Sequence, residues 1–361
     1  MEKRFFATDC EGPISINDNA MEMAADFLPQ GDLFFARVSK YDDFLADVEK
    51  RPGYRAGDTL KLILPFFKAF EVTEEAMALF SRNHILLLPQ ARETLSFIAS
   101  LLPCYIISTS YRPYIQALCR AIGHPEQNSF STPVPLDTYP LKTGEKERLK
   151  NLAEEIAGFP EFDWPDSAAG PADLPEKTRA IIGRLNRIFW EEIAAMDIGR
   201  LLNDIQPVGG EEKAAAFRQI ASTLNQPLAN GFYVGDSITD VQVFRQVNQA
   251  GGVTLSFNGN AYAVREARLA VLSPTTLPIA VLAQAFHREG LSGVFSLAGD
   301  WSREKLLQFG VNPSWVEVLF PEDAPPQAVS FILNEANRSE IGKRSSEYRK
   351  QVRGEVIGAL G

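Results

Sequence analysis

The sequence predicts an α/β protein: a Rossmann-like three-layer core that carries two helical insertions and a C-terminal extension. The first observation behind this prediction is that short apolar runs alternate with helical segments along much of the chain. Such alternation favours a mostly parallel sheet that is covered by helices on both faces. The second is that acidic or hydroxyl residues follow several of the runs, at the sheet edge where open α/β folds bind their ligands.

The N-terminal part of the chain begins this alternation and then leaves it. A short apolar strand is predicted at residues 4–8 and ends at Asp9. From residue 15 to about residue 88 the apolar spacing is mostly helical. The alternation returns with a helix, a strand, a helix and an extended segment, at residues 91–102, 104–107, 113–123 and 129–136.

A second helical stretch, at about 140–207, contains a loop rich in Pro, Gly, Asp and Ala. Beyond it, strands are predicted at 231–234, 252–257 and 269–272, and helices at 211–224, 238–251 and 277–290. We therefore expect a core of residues 1–14, 88–140 and 208–293, a helical cap of residues 15–87, a second helical insertion of residues 141–207 and a C-terminal extension of residues 294–361.

The composition and net charge of the chain exclude some classes of function. The chain has 361 residues, of which 45% are hydrophobic and 23% are charged, as is typical of a globular protein. Its net charge of −10 leaves no excess of Lys and Arg to neutralise a duplex, so nucleic acid is not an expected partner. A small phosphorylated metabolite is compatible with this negative charge as a ligand, because a metal ion and backbone dipoles can bind phosphate locally.

Cysteine and histidine usage excludes two further classes. The chain has 3 cysteines and 3 histidines, which are too few and too scattered for a disulfide framework or a zinc site. No apolar run reaches the length of a membrane span. The first residues lack the pattern of a signal peptide, so we expect a cytoplasmic protein.

Four motifs carry the predicted chemistry, and the first lies at residues 8–13. It places Asp9 directly after the opening strand and Glu11 two residues later. At this sheet edge Asp9 is suited to attack phosphorus as a nucleophile. Glu11 is suited to protonate the leaving oxygen and later to activate water. A turn or a helix cap is the alternative role for such an acidic pair.

The second motif is Ser108, which follows the strand at 104–107 and whose hydroxyl is suited to hold a phosphoryl oxygen. A capping serine is the alternative. The third is a pair of glycines at 209–210 that leads into a helix with Lys213 in its first turn. A cation there opposes the helix dipole. A lysine at this position is explained if its ammonium group neutralises a carboxylate and a phosphate in a site. The alternative is that Lys213 is a solvated surface lysine.

The fourth motif, at residues 231–240, combines a strand, a glycine turn, Asp236 and Asp240. Two carboxylates at this edge suit a hard cation with oxygen ligands, and Mg²⁺ is the expected cofactor where phosphate is bound. We expect Asp236 to bind the metal directly. Asp240 then orients that site or supports Lys213, and helix capping is its alternative role.

The four motifs, in this order, resemble those of the haloacid dehalogenase superfamily of phosphohydrolases. The resemblance covers the alternating core. It implies that Asp9 is the nucleophile. It also implies that Asp9, Asp236 and the backbone carbonyl of Glu11 bind Mg²⁺, and that Ser108 and Lys213 hold the phosphoryl group.

Two further segments refine this resemblance. Residues 250–258 look like the phosphoserine-phosphatase branch. Residues 9–13 and 17–20 look like an uncharacterised branch labelled as hydrogenase-associated or phosphoserine-phosphatase-like. The sequence departs from the superfamily at Glu11, where the phosphatases usually have Asp. A displacement of about 1 Å can cost roughly a hundredfold in rate, so slow turnover of the phosphoenzyme is one expectation.

The insertions and the C-terminal segment are expected to determine specificity and partners. The superfamily places a helical cap where residues 15–87 lie, and Arg37, Arg51 and Arg55 are its candidate contacts for a substrate anion, with surface roles as the alternative. The second insertion is predicted to be another lid or an interaction surface. The basic segment at 340–353 is predicted to be a solvated helix, with a dock for an acidic partner as the alternative.

The sequence therefore predicts a Mg²⁺-dependent phosphohydrolase that acts on a small phosphomonoester through an aspartyl-phosphate intermediate. Two alternatives stay open. One is a binding or assembly subunit of low turnover that retains the metal and phosphate site. The other is a phosphotransferase that passes the phosphoryl group to an acceptor other than water.

Overall fold

The computed structural model describes residues 3–165 and 167–358. Residues 1–2, 166 and 359–361 belong to the predicted core, second insertion and C-terminal extension, and they lie outside the described residues. Within the described ranges, none of the helices is both long enough and apolar enough to span a bilayer.

The described residues form a seven-stranded sheet. Its strands are β1 (Phe5–Thr8), β2 (Cys104–Tyr111), β3 (Ser129–Thr132), β4 (Gly231–Gly235), β5 (Val253–Phe257), β6 (Leu269–Leu272) and β7 (Val329–Ile332). Their order across the sheet is β3-β2-β1-β4-β5-β6-β7, and only the β6–β7 pairing is antiparallel. The mostly parallel sheet between helices confirms the predicted α/β Rossmann-like fold.

Seventeen α-helices surround this sheet in the described part of the chain. They are α1 (Asn19–Phe27), α2 (Gly31–Asp43), α3 (Thr59–Ala69), α4 (Glu74–Asn83), α5 (Ala91–Leu101), α6 (Arg112–Ile122), α7 (Thr143–Ala157), α8 (Glu176–Arg187), α9 (Leu201–Asp204), α10 (Glu211–Thr223), α11 (Val241–Ala250), α12 (Ala261–Glu266), α13 (Leu277–Gly299), α14 (Arg303–Gln308), α15 (Pro313–Leu319), α16 (Arg338–Arg353) and α17 (Glu355–Gly358). Two π-helical segments continue α2 and α8, at Phe44–Val48 and Ile188–Ile193.

Two hydrophobic clusters cover the two faces of the sheet. Successive side chains of a strand point to opposite faces, so Phe5 and Phe6 belong to different clusters. Phe6 lies in the cluster formed with α5, α6, α13 and α15, whereas Phe5 lies in the one formed with α10, α11, α12 and α16. This arrangement places the sheet between two sets of helices, and neither set covers the carboxyl edge of the sheet.

The two predicted insertions share one hydrophobic core. Helices α2 and α3 of the first insertion pack against α7 of the second. Aromatic side chains join them as well, since the rings of Phe66 and Phe189 lie 6.1 Å apart. Helices α1 to α4 and α7 to α9, with the loops that join them, therefore form one continuous layer, which we call the helical layer, above the carboxyl edge of the sheet.

The segment after residue 293 returns to the core. Strand β7 extends the sheet beyond β6, and α16 packs on α12. The Nη1 group of Arg338 donates to the carbonyls of Val264, Arg265 and Ala267 at the end of α12. The start of α16 is thereby held against the core, and the sequence pattern alone does not predict this position.

Candidate active site at the carboxyl edge of the sheet

Three adjacent strands of the sheet bring two carboxylates together. Strands β2, β1 and β4 are parallel neighbours, so their carboxyl ends lie at one edge of the sheet. Asp9 directly follows β1, and Asp236 directly follows β4. The amide of Asp9 donates to the carbonyl of Val234 over 2.8 Å, which holds the two strand ends in register. Both carboxylates are buried.

Lys213 reaches this edge from the first turn of α10. Its side chain is fully buried, with an exposure of 0%. Its Nζ donates to Oδ2 of Asp9 over 2.5 Å and to Oδ1 of Asp240 over 2.8 Å. Burial alone would lower the pKa of Lys213, but the carboxylates of Asp240 and Asp9 outweigh it and raise that pKa. Lys213 is therefore a fixed internal cation between two carboxylates.

Asp240 is saturated with hydrogen bonds. Besides Lys213, the hydroxyl of Tyr233 donates to its Oδ1 over 2.7 Å. The backbone amides of Asp236 and Ser237 donate to its Oδ2 over 2.9 and 3.0 Å. One carboxylate oxygen each of Asp9, Asp236 and Asp240 lie within 4.8 Å of one another. Because four donors already use the oxygens of Asp240, this carboxylate is suited to hold Lys213 and the turn after β4 in place.

Burial controls the proton affinity of both acids in the first motif. It raises the pKa of Asp9 to about 6, against the lowering effect of Lys213. It raises the pKa of Glu11 to about 8, and the nearby carboxylate of Asp18 adds to this shift. Oε1 of Glu11 accepts a hydrogen bond from the amide of Asn19 over 2.8 Å. Glu11 is thus a carboxyl group that holds its proton near neutral pH in this site.

Ser108 lies inside β2 rather than after it. The predicted strand ends at residue 107, but β2 continues to Tyr111, and its register on β3 shifts between Ile107 and Tyr111. The hydroxyl of Ser108 donates to Oγ of Ser110 over 3.0 Å. Thr109 lines the same cavity, and its buried Oγ1 has no hydrogen-bond partner within the described ranges. Sequence reasoning did not single out Thr109.

The carboxylate of Asp236 packs against Gly12. Gly12 has a φ of +98°, a conformation that side chains rarely adopt. A Cβ atom at this position would collide with the carboxylate of Asp236. The loop after Asp9 therefore requires glycine here for two independent reasons.

Two arginines of α16 also contact Asp236, and sequence reasoning missed both. Nη1 of Arg349 pairs with Oδ2 of Asp236, and Nη1 of Arg353 lies 3.4 Å from the same oxygen. Arg349 is only 3% exposed and Arg353 only 7%. The prediction of a solvated helix at 340–353 is wrong for this face of α16, because the helix packs on the core. Lys343 and Arg344, on the other face, are exposed.

These side chains surround a cavity of about 110 Å³ under the helical layer. The core contributes Asp9, Glu11, Ser108 and Asp236 to its wall, and α16 contributes both arginines. The helical layer contributes further wall residues, which include Phe35, Ser39, Asp42, Asp43, Thr59 and Leu60. A space of this size is smaller than a typical pocket for a drug-sized ligand, so it suits a small molecule.

The three arginines that the sequence offered as anion contacts do not line this cavity. Arg37 donates to the carbonyl of Phe159. Arg51 lies over the ring of Trp190, and Arg55 pairs with Glu212. Their contacts join parts of the helical layer or join that layer to the core.

Comparisons with known proteins support the fold. No family model and no curated protein matches the chain. The chain is similar to the structure of gene product AF1437 from Archaeoglobus fulgidus, with a TM-score of 0.80 and 25% sequence identity over 100% of this chain and 99% of that one. It also has a weak likeness to a phospho-aspartyl intermediate analogue of phosphoserine phosphatase, with a TM-score of 0.44 and 12% identity over 75% of this chain and 93% of that one. The first likeness shows that the whole architecture recurs in a second protein.

Proposed function

We propose that this chain is a Mg²⁺-dependent phosphohydrolase that acts on a small phosphomonoester through an aspartyl-phosphate at Asp9. The observation that carries the proposal is one cluster of side chains. The carboxylates of Asp9 and Asp236 and the hydroxyl-bearing Ser108 line one small cavity, and the buried Lys213 pairs with the Asp9 carboxylate from outside that cavity. These are the groups that phosphoryl transfer through a covalent aspartyl intermediate needs.

The donor set fits a hard divalent cation. Asp9 and Asp236 offer carboxylate oxygens close to each other, and oxygen ligands are those that Mg²⁺ prefers. The resemblance to the haloacid dehalogenase superfamily adds the backbone carbonyl of Glu11 as a third ligand. When bound, Mg²⁺ would neutralise charge that develops on the phosphoryl oxygens. Asp240 supports this site from behind, since its oxygens hold Lys213 and the turn after β4.

Each side chain of the site then has its own role in the reaction. A carboxylate oxygen of Asp9 attacks phosphorus, the phosphorus–oxygen bond to the leaving group breaks, and an acyl phosphate forms. Glu11, which holds its proton near neutral pH, donates that proton to the leaving oxygen. The resulting Glu11 carboxylate takes a proton from water, whose oxygen attacks the phosphorus. The phosphorus–oxygen bond to Asp9 then breaks, which releases phosphate and regenerates the Asp9 carboxylate. Ser108, which lines the cavity, holds a phosphoryl oxygen, and Lys213 neutralises charge on Asp9, to which its Nζ donates.

The cavity limits the substrate. Its volume of about 110 Å³ admits a phosphoryl group and a small organic group while the helical layer stays in place. We therefore propose a small phosphomonoester as the substrate class.

The test is steady-state hydrolysis of a panel of small phosphomonoesters by the full chain, with Mg²⁺ and with EDTA. We expect turnover that requires Mg²⁺ and falls more than about a thousandfold in Asp9→Asn. The matched control is Asp323→Asn, because Asp323 is an exposed acid distant in sequence from every motif. Activity of Asp9→Asn near the wild-type value would contradict the proposal.

A binding or assembly subunit of low turnover is the second candidate. The observation that favours it is that Asp236, an expected metal ligand, is already paired with Arg349 and Arg353. Under this alternative the chain binds Mg²⁺ and phosphate but hydrolyses no member of the panel. A phosphotransferase is distinguished in the same assay, since added alcohol acceptors would then carry away the phosphoryl group.

A further inference from the structure

We propose that Arg349, supplied by the C-terminal helix α16, is a ligand for the phosphoryl group of the substrate. This inference rests on the proposed function, since it assigns a further binding residue to the same cavity. It concerns a side chain that lies far along the chain from the four sequence motifs.

The hydrogen bonds of Arg349 leave one edge of its guanidinium free. Within the described part of the chain, its hydrogen bonds all come from Nη1, to the carbonyl and the carboxylate of Asp236. Its Nε is buried and has no hydrogen-bond partner there. Nε and Nη2 form the side-on edge of a guanidinium, which matches two oxygens of a phosphoryl group. A buried donor without a partner is costly, so a ligand that accepts from this edge would recover that free energy.

Arg353 provides an internal comparison. Its Nε donates to the carbonyl of Ile16 over 3.0 Å, and its Nη2 donates to the carbonyl of Asn17. The edge that is free in Arg349 is thus used in Arg353 to hold the segment that leads into the helical layer. We infer that Arg353 fixes structure and that Arg349 is the one available to a ligand.

The position of Arg349 is fixed before any ligand binds. Upstream in α16, Arg338 donates to the end of α12, and the hydroxyl of Ser345 donates to the carbonyl of Gly259. Gly342 of the same helix packs against Ala261. Arg349 is one of the residues that line the cavity, together with Asp9 and Ser108. A cation held rigidly at this place costs little reorganisation when an oxyanion binds.

The test is the equilibrium affinity of the full chain for inorganic phosphate, measured by calorimetry with saturating Mg²⁺ and again without it. We expect Arg349→Gln to weaken phosphate binding about 10- to 100-fold, as for the loss of charge-assisted hydrogen bonds. Arg349→Lys keeps the charge and loses the two-donor edge, so it should also weaken binding, by about tenfold. Lys343→Gln is the matched control, because it removes one exposed charge from the same helix.

Two further measurements distinguish a role of Arg349 in binding phosphate from a purely structural role as the counter-charge of Asp236. If Arg349 only neutralises Asp236, its variants will change the Mg²⁺ affinity or the urea unfolding midpoint and leave phosphate affinity within about twofold of wild type. That result would overturn the proposal, and so would a wild-type chain that binds no phosphate. Phosphate binding that depends on Arg349 in a chain without turnover would support the proposal and count only against hydrolysis. Should Arg349→Gln fail to fold, Arg349→Lys decides the question.

Discussion

Replacing Asp240 with Asn tests the internal support of the site. Asn has nearly the same shape as Asp, but it offers one acceptor oxygen and one donor group. In the native structure, Lys213 and Tyr233 donate to Oδ1, while two backbone amides donate to Oδ2. An amide group therefore cannot accept from all four donors, whichever way it is turned.

These contacts determine which orientation of the substituted amide costs less free energy. The amide oxygen faces the two backbone amides, which have no other way to adapt. The amide nitrogen then faces Tyr233, whose hydroxyl can rotate to accept, and Lys213, which can only donate. One buried, charge-assisted bond is lost, and Lys213 keeps Asp9 as its remaining partner. Such a bond contributes about 1.5–3 kcal/mol, and breaking a buried ion pair costs about 3–5 kcal/mol. We expect Asp240→Asn to lower the free energy of unfolding by about 3 kcal/mol.

The assay is urea unfolding followed by tryptophan fluorescence, with Asp323→Asn as an exposed control. A second measurement compares Mg²⁺ affinities, which should fall less in Asp240→Asn than in Asp236→Asn if Asp240 does not bind the metal directly. A loss of stability below about 1 kcal/mol would refute the supporting role of Asp240. Equal losses of metal affinity in the two variants would refute its separation from the ligands.

Three other changes test separate parts of the structure. Gly12→Ala places a Cβ against the carboxylate of Asp236 at a φ of +98°, so we expect at least a hundredfold loss of turnover with the overall circular dichroism retained. Arg37→Gln should leave the KM for the best substrate within about twofold, because Arg37 binds a carbonyl of the helical layer outside the cavity. Burial raises the pKa of Cys104 to about 12 and that of Cys119 to about 11, so these thiols should react with a disulfide reagent at pH 8 only after unfolding in guanidinium. A rapid reaction of the folded chain would contradict their burial.

The part of the site that lies next to strand ends was predictable from sequence. Asp9 and Asp236 each follow a strand directly, and Lys213 lies in the first turn of a helix after two glycines. Parallel strands that are neighbours bring such residues to one edge, so local patterns are enough to place them together. Strands β1, β2, β4, β5 and β6 were predictable because each contains a short apolar run, whereas no strand was predicted at the position of β7.

Arg349 was not predictable, because its position depends on contacts between distant segments. The sequence around α16 is mostly polar, which is typical of an exposed helix. It is buried on one face because Arg338 binds the end of α12 and Ser345 binds Gly259. The shared core of the helical layer was not predictable for the same reason. Apolar spacing in α3 and α7 shows that each helix buries a face, but it does not identify the partner.

The most direct test of catalysis through Asp9 is to locate the phosphoryl group on the protein during turnover. The full chain is mixed with a phosphomonoester that it hydrolyses in Mg²⁺, quenched in acid to preserve acyl phosphates, and mapped by peptide mass spectrometry. We expect a phosphoryl group on Asp9 that hydroxylamine removes and that is absent from Asp9→Asn. Turnover with the phosphoryl group on another residue, or turnover that Asp9→Asn retains, would contradict an aspartyl-phosphate mechanism at this site.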